Sequence, residues 1–145
     1  MKLLEPHITS GLGVALKADN GMYLTIKVND EVFQHIYADK SHKDFYTKFI
    51  VEKVDNRTIR LRNNLTKSYL SKDFGIFANQ SYIVALKRVA DENCNFRVFD
   101  VDGKLALRNV ENGKFLSRST KYIILNPGRK VYQMETILPD VSKLS

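Results

Sequence analysis

The sequence holds one cysteine, Cys94, and no long run of apolar residues. A single cysteine cannot form an intramolecular disulfide, which excludes the disulfide-stapled folds of small secreted domains. The apolar runs are too short to cross a membrane, and residues 1–13 lack the stretch of about 7–15 apolar residues that a secretory signal needs. We therefore expect no integral membrane segment and a cytoplasmic or nucleocytoplasmic location.

Residues that carry out catalysis or bind metals are also scarce. The three histidines, His7, His35 and His42, have no neighbours at the spacing of a metal site. Cys94 follows an acidic run, and nearby negative charge disfavours the reactive thiolate form. The sequence therefore predicts a binding protein rather than an enzyme, with no metal and no cofactor.

The sequence does contain a pattern that occurs three times. Each copy starts with alternating apolar residues, passes through a polar turn and closes on an aromatic residue followed by leucine. Tyr69 and Phe115, the aromatic residues of the second and third copies, are 46 residues apart. Alternation indicates strands with one buried face, and one unit cannot bury that face alone. The copies are residues 13–26, 57–72 and 103–118.

Two further motifs recur, and together they predict the fold. Three units of about 46 residues, each with about four short strands and no helical period, indicate an all-β domain with threefold symmetry, a β-trefoil over residues 1–145. Its repeats are approximately residues 11–54, 55–101 and 102–141. The recurring motifs are IYAD at 36–39, IFAN at 76–79 and IILN at 123–126, and FIVEKV at 49–54, FRVFDV at 96–101 and YQMETI at 132–137. The predicted core comprises Leu16, Leu24, Phe49, Val51, Leu61, Leu70, Phe96, Val98, Leu107, Leu116 and Met134, with Tyr23, Tyr69 and Phe115 beside it.

Two segments, residues 49–74 and 95–118, resemble the agglutinin domain of the amaranthin-type plant lectins. The likeness covers most of the chain and includes the closing METILPDVSKL. The resemblance implies a β-trefoil that binds glycans or glycoproteins containing N-acetylgalactosamine (GalNAc) or galactose. It also implies a homodimer with the sugar at the dimer interface. Other members of the family are fused to pore-forming modules, so a targeting or scaffold role within a larger protein is a further alternative.

The family motif also implies a position for the ligand site. It pairs an asparagine with an aromatic residue in the second repeat, where this sequence has Asn64 followed by Leu65, and the chain has no tryptophan. Side chains that could donate and accept hydrogen bonds lie around this position, in the one repeat whose turn lacks glycine. The alternative is that the asparagines only build turns. The candidate ligand-binding residues are Asn63, Asn64, Lys67, Asn79 and Tyr82.

The net charge of +7 supports a second candidate function. The basic residues are scattered and form no block of five or six, so no nucleic-acid partner is expected. Long-range attraction could still bring an anionic glycan or a phospholipid headgroup to the surface. Alternation places Arg60 and Arg62 on the solvent side of one strand. The cations that could contribute are Arg57, Arg60, Arg62, Lys67, Lys72, Arg118, Lys121, Arg129 and Lys130.

Overall fold

The structure is a computed structural model that describes residues 2–3, 10–27, 35–72 and 81–137. Thirteen strands and one short 3₁₀ turn, Glu92–Cys94, lie within these residues. The strands are β1 (Lys2–Leu3), β2 (Gly13–Lys17), β3 (Tyr23–Thr25), β4 (Tyr37–Lys40), β5 (Phe49–Lys53), β6 (Thr58–Asn63), β7 (Tyr69–Lys72), β8 (Ser81–Lys87), β9 (Phe96–Val101), β10 (Lys104–Asn109), β11 (Phe115–Ser119), β12 (Tyr122–Asn126) and β13 (Gln133–Thr136).

Six of these strands form a closed antiparallel barrel. The order around the ring is β2, β5, β6, β9, β10 and β13, and β13 pairs with β2 to complete it. Between β10 and β13, Leu105 and Tyr132 exchange two backbone hydrogen bonds of 2.8 Å. The ring contains the first and fourth strand of each repeat. Closure leaves no edge strand in the barrel, which removes a template for aggregation.

Six of the remaining strands form three hairpins that cover one end of the barrel, and β1 pairs with β9. The hairpins are β3–β4, β7–β8 and β11–β12. The hairpins contact one another, with Tyr122 opposite Tyr37, Ile124 opposite Tyr82, and His35 opposite Val84. A six-stranded barrel capped by three hairpins, with four strands in each repeat, is a β-trefoil. The predicted fold is confirmed.

The core is built from side chains that recur in the three repeats. Each triplet is almost completely excluded from solvent, and burial of this kind stabilises by about 1.5–3 kcal/mol per large apolar side chain. The predicted leucines, Phe49, Phe96, Val51 and Val98 are all buried. Met134, predicted in the core, is half-buried and packs against it instead, and Tyr69 and Phe115, predicted beside the core, are half-buried. The triplets are Leu16, Leu61 and Leu107; Leu24, Leu70 and Leu116; and Ile36, Ile83 and Ile123.

One recurring motif was aligned wrongly in the second repeat. Residues 76–79 lie outside the described residues, and the strand is β8, which starts at Ser81. Ile83 is fully buried and takes the place that Ile36 has in the first repeat and Ile123 in the third. Ile76 and Ile83 each begin a short apolar stretch in the sequence. Only the packing shows that Ile83 is the equivalent of Ile36 and Ile123.

The repeated aromatic residues bind a neighbouring repeat rather than the deep core. The Tyr23 hydroxyl donates to Glu135 at 2.9 Å, and the Tyr69 hydroxyl donates to Glu52 at 2.7 Å. In the third repeat, Phe115 lies against the ring of Phe99 with centroids 6.3 Å apart. Two repeat junctions are therefore joined by a tyrosine–carboxylate hydrogen bond and the third by ring packing.

Candidate functional site

The end of β6 and the turn that follows it contain three of the predicted ligand-binding residues, and Asn63, the last residue of β6, is completely buried. Its Nδ2 donates to the carbonyl oxygens of Lys48 and Tyr46 at 3.1 and 3.4 Å. Its Oδ1 accepts from the backbone N–H groups of Leu65 and Thr66 at 2.9 and 3.2 Å. The Asn63 amide is therefore inaccessible to a ligand and stabilises the turn, which contradicts the predicted ligand contact for this residue.

The third repeat uses an asparagine in the same way. Asn109, 46 residues after Asn63, is also fully buried. It donates to the carbonyl oxygen of Asn93 at 3.1 Å and accepts from two backbone N–H groups in its own turn. Recurrence at the repeat spacing therefore marks a turn-building asparagine, and this signal was present in the sequence.

The other predicted residues do not converge on one site. Asn64 and Lys67 are exposed, and the Lys67 ammonium donates to Asn64 Oδ1 at 3.0 Å. Tyr82 lies at the start of β8. Lys87, at the other end of that strand, is opposite Tyr69, which follows the turn that contains Asn64 and Lys67. The step of five residues from Tyr82 to Lys87 spans roughly 16 Å of strand, so Tyr82 is distant from that turn. Asn79 lies outside the described residues.

Tyr82 instead belongs to an aromatic cluster where the three hairpins meet. Its ring centroid is 4.9 Å from that of His35 and 6.0 Å from that of Tyr122. These three residues each precede a buried isoleucine of the core, so they occupy equivalent positions in the three repeats. Tyr37 adds a fourth ring, 5.0 Å from Tyr122, and Lys121 lies over both. Much of the ring surface is thus already used in contacts within the protein.

A polar cavity of about 400 Å³ lies in the third repeat, beside the hairpin β11–β12 and the turn that follows it. The turn is fixed to the hairpin by two hydrogen bonds. Ser117 Oγ donates to the carbonyl oxygen of Gly128 at 3.0 Å, and the Gly128 N–H donates to Asn126 Oδ1 at 2.8 Å. The lining residues are Ser117, Arg118, Ser119, Ile124, Asn126, Gly128, Arg129 and Lys130.

The third repeat differs from the others in the length of the loop that borders this cavity. The loop is measured from the buried isoleucine within or just before the third strand of a repeat to the buried aromatic residue at the start of, or just before, the fourth. Thirteen positions separate the two residues in the first and second repeats, but only nine in the third. A loop four residues shorter leaves space where the other repeats have chain. The pairs are Ile36 and Phe49, Ile83 and Phe96, and Ile123 and Tyr132.

The shorter loop also lacks an aspartate that the other two loops share. Asp44 and Asp91 each stand five residues before the buried aromatic residue, and each accepts hydrogen bonds from its own turn's backbone. Lys40 donates to Asp44 at 2.7 Å, and Lys87 forms the equivalent ion pair with Asp91. The corresponding residue of the third repeat is Pro127. The third loop therefore has no carboxylate at the position where the others carry one.

One carboxylate from the first repeat borders the cavity. Asp19, in the turn after β2, accepts from Arg118 Nε at 2.6 Å and from Nη2 at 3.2 Å, and Lys130 Nζ lies 3.9 Å away. The hydrogen bond from Arg118 holds the pKa of Asp19 below its ordinary value, so this carboxylate stays ionised at neutral pH. The ion pair of Arg118 with Asp19 therefore connects the third repeat to the first.

Two cations of the second repeat, Arg60 and Arg62, bind other side chains of the protein. Arg62 forms a salt bridge with Glu52 at 3.1 Å, and Arg60 Nε donates to Asn95 Oδ1 at 2.8 Å. Both side chains are half-buried, whereas the expectation was a solvent-facing stripe. The cations that line the polar cavity belong to the third repeat.

Cys94 is buried, with its sulfur 3.7 Å from Asp91 Oδ1. Burial raises the pKa of the thiol, which disfavours the thiolate. Within the described ranges, no group of three or more His, Cys, Asp or Glu side chains is placed to hold a metal ion. No helix among those residues has the length and apolar character needed to span a membrane.

No protein-family model and no curated protein sequence matches this chain. Solved structures do match, at low sequence identity. The designed threefold symmetric protein ThreeFoil has a TM-score of 0.75 at 13% identity, covering 87% of this chain and 99% of its own.

Two natural proteins are similar in the same way. The Polyporus squamosus lectin bound to the human-type influenza-binding epitope Neu5Aca2-6Galb1-4GlcNAc has a TM-score of 0.71 at 13% identity, covering 89% of this chain and 50% of its own. The GlcNAcα1-4Gal-releasing endo-β-galactosidase of Clostridium perfringens has a TM-score of 0.73 at 15% identity, covering 88% of this chain and 33% of its own. These structures support the β-trefoil fold, and at these identities the likeness extends to the fold alone.

Proposed function

We propose that this protein is a carbohydrate-binding module without catalytic activity, and that its ligand site is the cavity of the third repeat. The observation that carries the proposal is the polar lining of a cavity whose volume of about 400 Å³ lies in the range of small-ligand sites. Ser119 Oγ and Asn126 Nδ2 form no hydrogen bond with other described residues. They are free to bind sugar hydroxyls, which both donate and accept.

Glycans containing GalNAc or galactose are the ligand class that we propose. The support is the resemblance of residues 49–74 and 95–118 to the agglutinin domain, together with the lectin-like fold. That resemblance would place the sugar at Asn64 and at a dimer interface. The buried Asn63 and the separate position of Tyr82 favour the third repeat instead.

The experiment is a glycan array followed by calorimetric titration of the best GalNAc- or galactose-containing ligand. The double variant Ser119→Ala, Asn126→Ala removes both cavity groups. The loss of two hydrogen bonds of about 1 kcal/mol each should weaken binding about 30-fold. Asn64→Ala is the matched control, because it removes an exposed asparagine from the second repeat. Weaker binding by Asn64→Ala with unchanged binding by the double variant would place the site in the second repeat and refute ours.

Two other outcomes would change the proposed function. Binding only to vesicles that contain phosphatidylinositol phosphates would favour a headgroup-binding protein. No binding to glycans or vesicles would favour a scaffold. The homodimer is tested separately by sedimentation at micromolar concentrations, with and without the glycan.

A further inference from the structure

A second cavity, of about 230 Å³, lies where strands β2, β5 and β13 of the barrel meet. Its wall is mostly glycine and aliphatic side chains, among them Leu12, Ile50 and Ile137. Lys48 also lines it, and none of its lining residues is acidic. The cavity shares no lining residue with that of the third repeat, so it is a separate candidate site.

The side chain of Lys48 lies across Gly13. A Cβ atom at position 13 would be 2.9 Å from Lys48 Cε and 3.8 Å from Nζ, so the lysine occupies space that a larger residue would need. Lys48 is half-buried, and its Nζ forms no hydrogen bond or ion pair with another described residue. Partial burial of an unpaired charge is unfavourable, so this ammonium is stabilised by an anionic partner.

The other two repeats have different side chains at the equivalent positions. Next to the cavity, the first repeat pairs a glycine with an isoleucine, whereas the second and third repeats have polar side chains at both positions. Lys48, the residue before the buried aromatic, is Asn95 in the second repeat and Val131 in the third. Because the equivalent strands pair with polar residues there, the fold does not require the apolar wall or the cation. The pairs are Gly13 and Ile50, Thr58 and Arg97, and Lys104 and Gln133.

We propose that this cavity binds a small aliphatic carboxylic acid, with the carboxylate on Lys48 and the hydrocarbon chain against the aliphatic wall. The site is additional to the glycan site and does not depend on it. The ammonium donates charge-assisted hydrogen bonds to a carboxylate, and the apolar wall favours a hydrocarbon chain over a phosphate or a sulfate. At about 30 Å³ for each non-hydrogen atom, the volume of about 230 Å³ holds roughly eight such atoms, the size of hexanoate.

The test is an NMR titration of the ¹⁵N-labelled full chain at neutral pH with hexanoate and with 1-hexanol, which has the same chain without the acid. Both are taken to about 10 mM, because ligands of this size bind in the millimolar range. We expect hexanoate to shift the amides of residues 11–13, 48, 50, 136 and 137, which line the cavity. One charge-assisted hydrogen bond should make hexanoate bind about tenfold more tightly than hexanol.

The decisive variant is Lys48→Met, which removes the ammonium and keeps a flexible apolar chain. We expect the affinity for hexanoate to fall about tenfold and that for hexanol to stay unchanged. Lys114→Met is the matched control, because Lys114 is also half-buried and lies in the turn between β10 and β11. It should bind both ligands as the wild-type protein does.

Gly13→Ala tests the cavity without changing any charge. The added methyl group meets Lys48 Cε at 2.9 Å, so the lysine must move and the affinity for hexanoate should fall. Amide shifts confined to other residues, none at about 10 mM, or equal affinities for hexanoate and hexanol would each overturn the inference. Equal affinities for hexanoate in Lys48→Met and Lys114→Met would also overturn it. Each of these outcomes leaves the proposed glycan site intact, because the two cavities share no lining residue.

Discussion

The hydroxyl of Tyr132 offers a sharp test of the packing. Tyr132 retains 1% of its accessible surface, and its hydroxyl has no hydrogen-bond partner among the described residues. Burial raises the pKa of Tyr132 far above its ordinary value, so the group stays neutral. The equivalent positions in the first and second repeats are Phe49 and Phe96, both fully buried. Tyr132→Phe therefore removes an unpaired polar group and restores the residue that the other repeats use.

The expected gain follows from the cost of burying an unpaired hydroxyl, about 1–3 kcal/mol. Phenylalanine keeps the ring contacts, so we expect the free energy of unfolding to rise by about 1–2 kcal/mol. For a domain of this size, each kcal/mol raises the melting temperature by about 2–4 °C or slightly more. Urea unfolding followed by far-ultraviolet circular dichroism gives the free energy directly.

Tyr69→Phe is the matched control, because that hydroxyl is hydrogen-bonded to Glu52 at 2.7 Å. Loss of this bond should lower the free energy of unfolding by about 1 kcal/mol. The two variants make the same chemical change with opposite expected signs. A loss of 1 kcal/mol or more in Tyr132→Phe would show that the buried hydroxyl is satisfied and would refute the reasoning.

Three further predictions concern stability and reactivity. Asn63→Ala breaks the amide's hydrogen bonds to the segment before β5 and to its own turn and should cost about 2–4 kcal/mol in urea unfolding, whereas Asn64→Ala, at an exposed position, should stay within about 0.5 kcal/mol. Asp19 has a pKa below its ordinary value of 3.8, so its contribution is present above that pH and is lost as the pH falls through the lower folded value. Acid titration of unfolding should therefore show stability decreasing below about pH 4, with a shallower decrease in Asp19→Asn. Cys94 should react with a thiol reagent only on the timescale of unfolding, and fast reaction in the native protein would contradict its burial.

The sequence was sufficient for the fold because the β-trefoil repeats its pattern. Leu61 and Leu107 recur at the repeat spacing, and alternation assigns them to the buried face of a strand. The barrel, the hairpins and most of the core follow from that pattern. The error at residues 76–79 arose where two short apolar motifs compete and only packing selects Ile83.

The candidate site could be predicted only in part. The shorter loop of the third repeat is visible in the sequence, but only after Ile83 is aligned correctly with Ile123. The ion pair between Asp19 and Arg118 joins residues 99 positions apart and has no local signal. The buried Asn63 and the exposed Asn64 are the same residue type in adjacent positions, so their separate roles depend on which side of the strand end each occupies.

The most direct test of a glycan site in the third repeat is an NMR titration of ¹⁵N-labelled protein with the best ligand of the array. Amide shifts locate a bound sugar without any substitution. We expect the largest shift changes at residues 117–119, 126 and 128–130, which line the cavity, and small changes at residues 63–67. Changes concentrated at residues 63–67, or none at saturating ligand, would contradict the site.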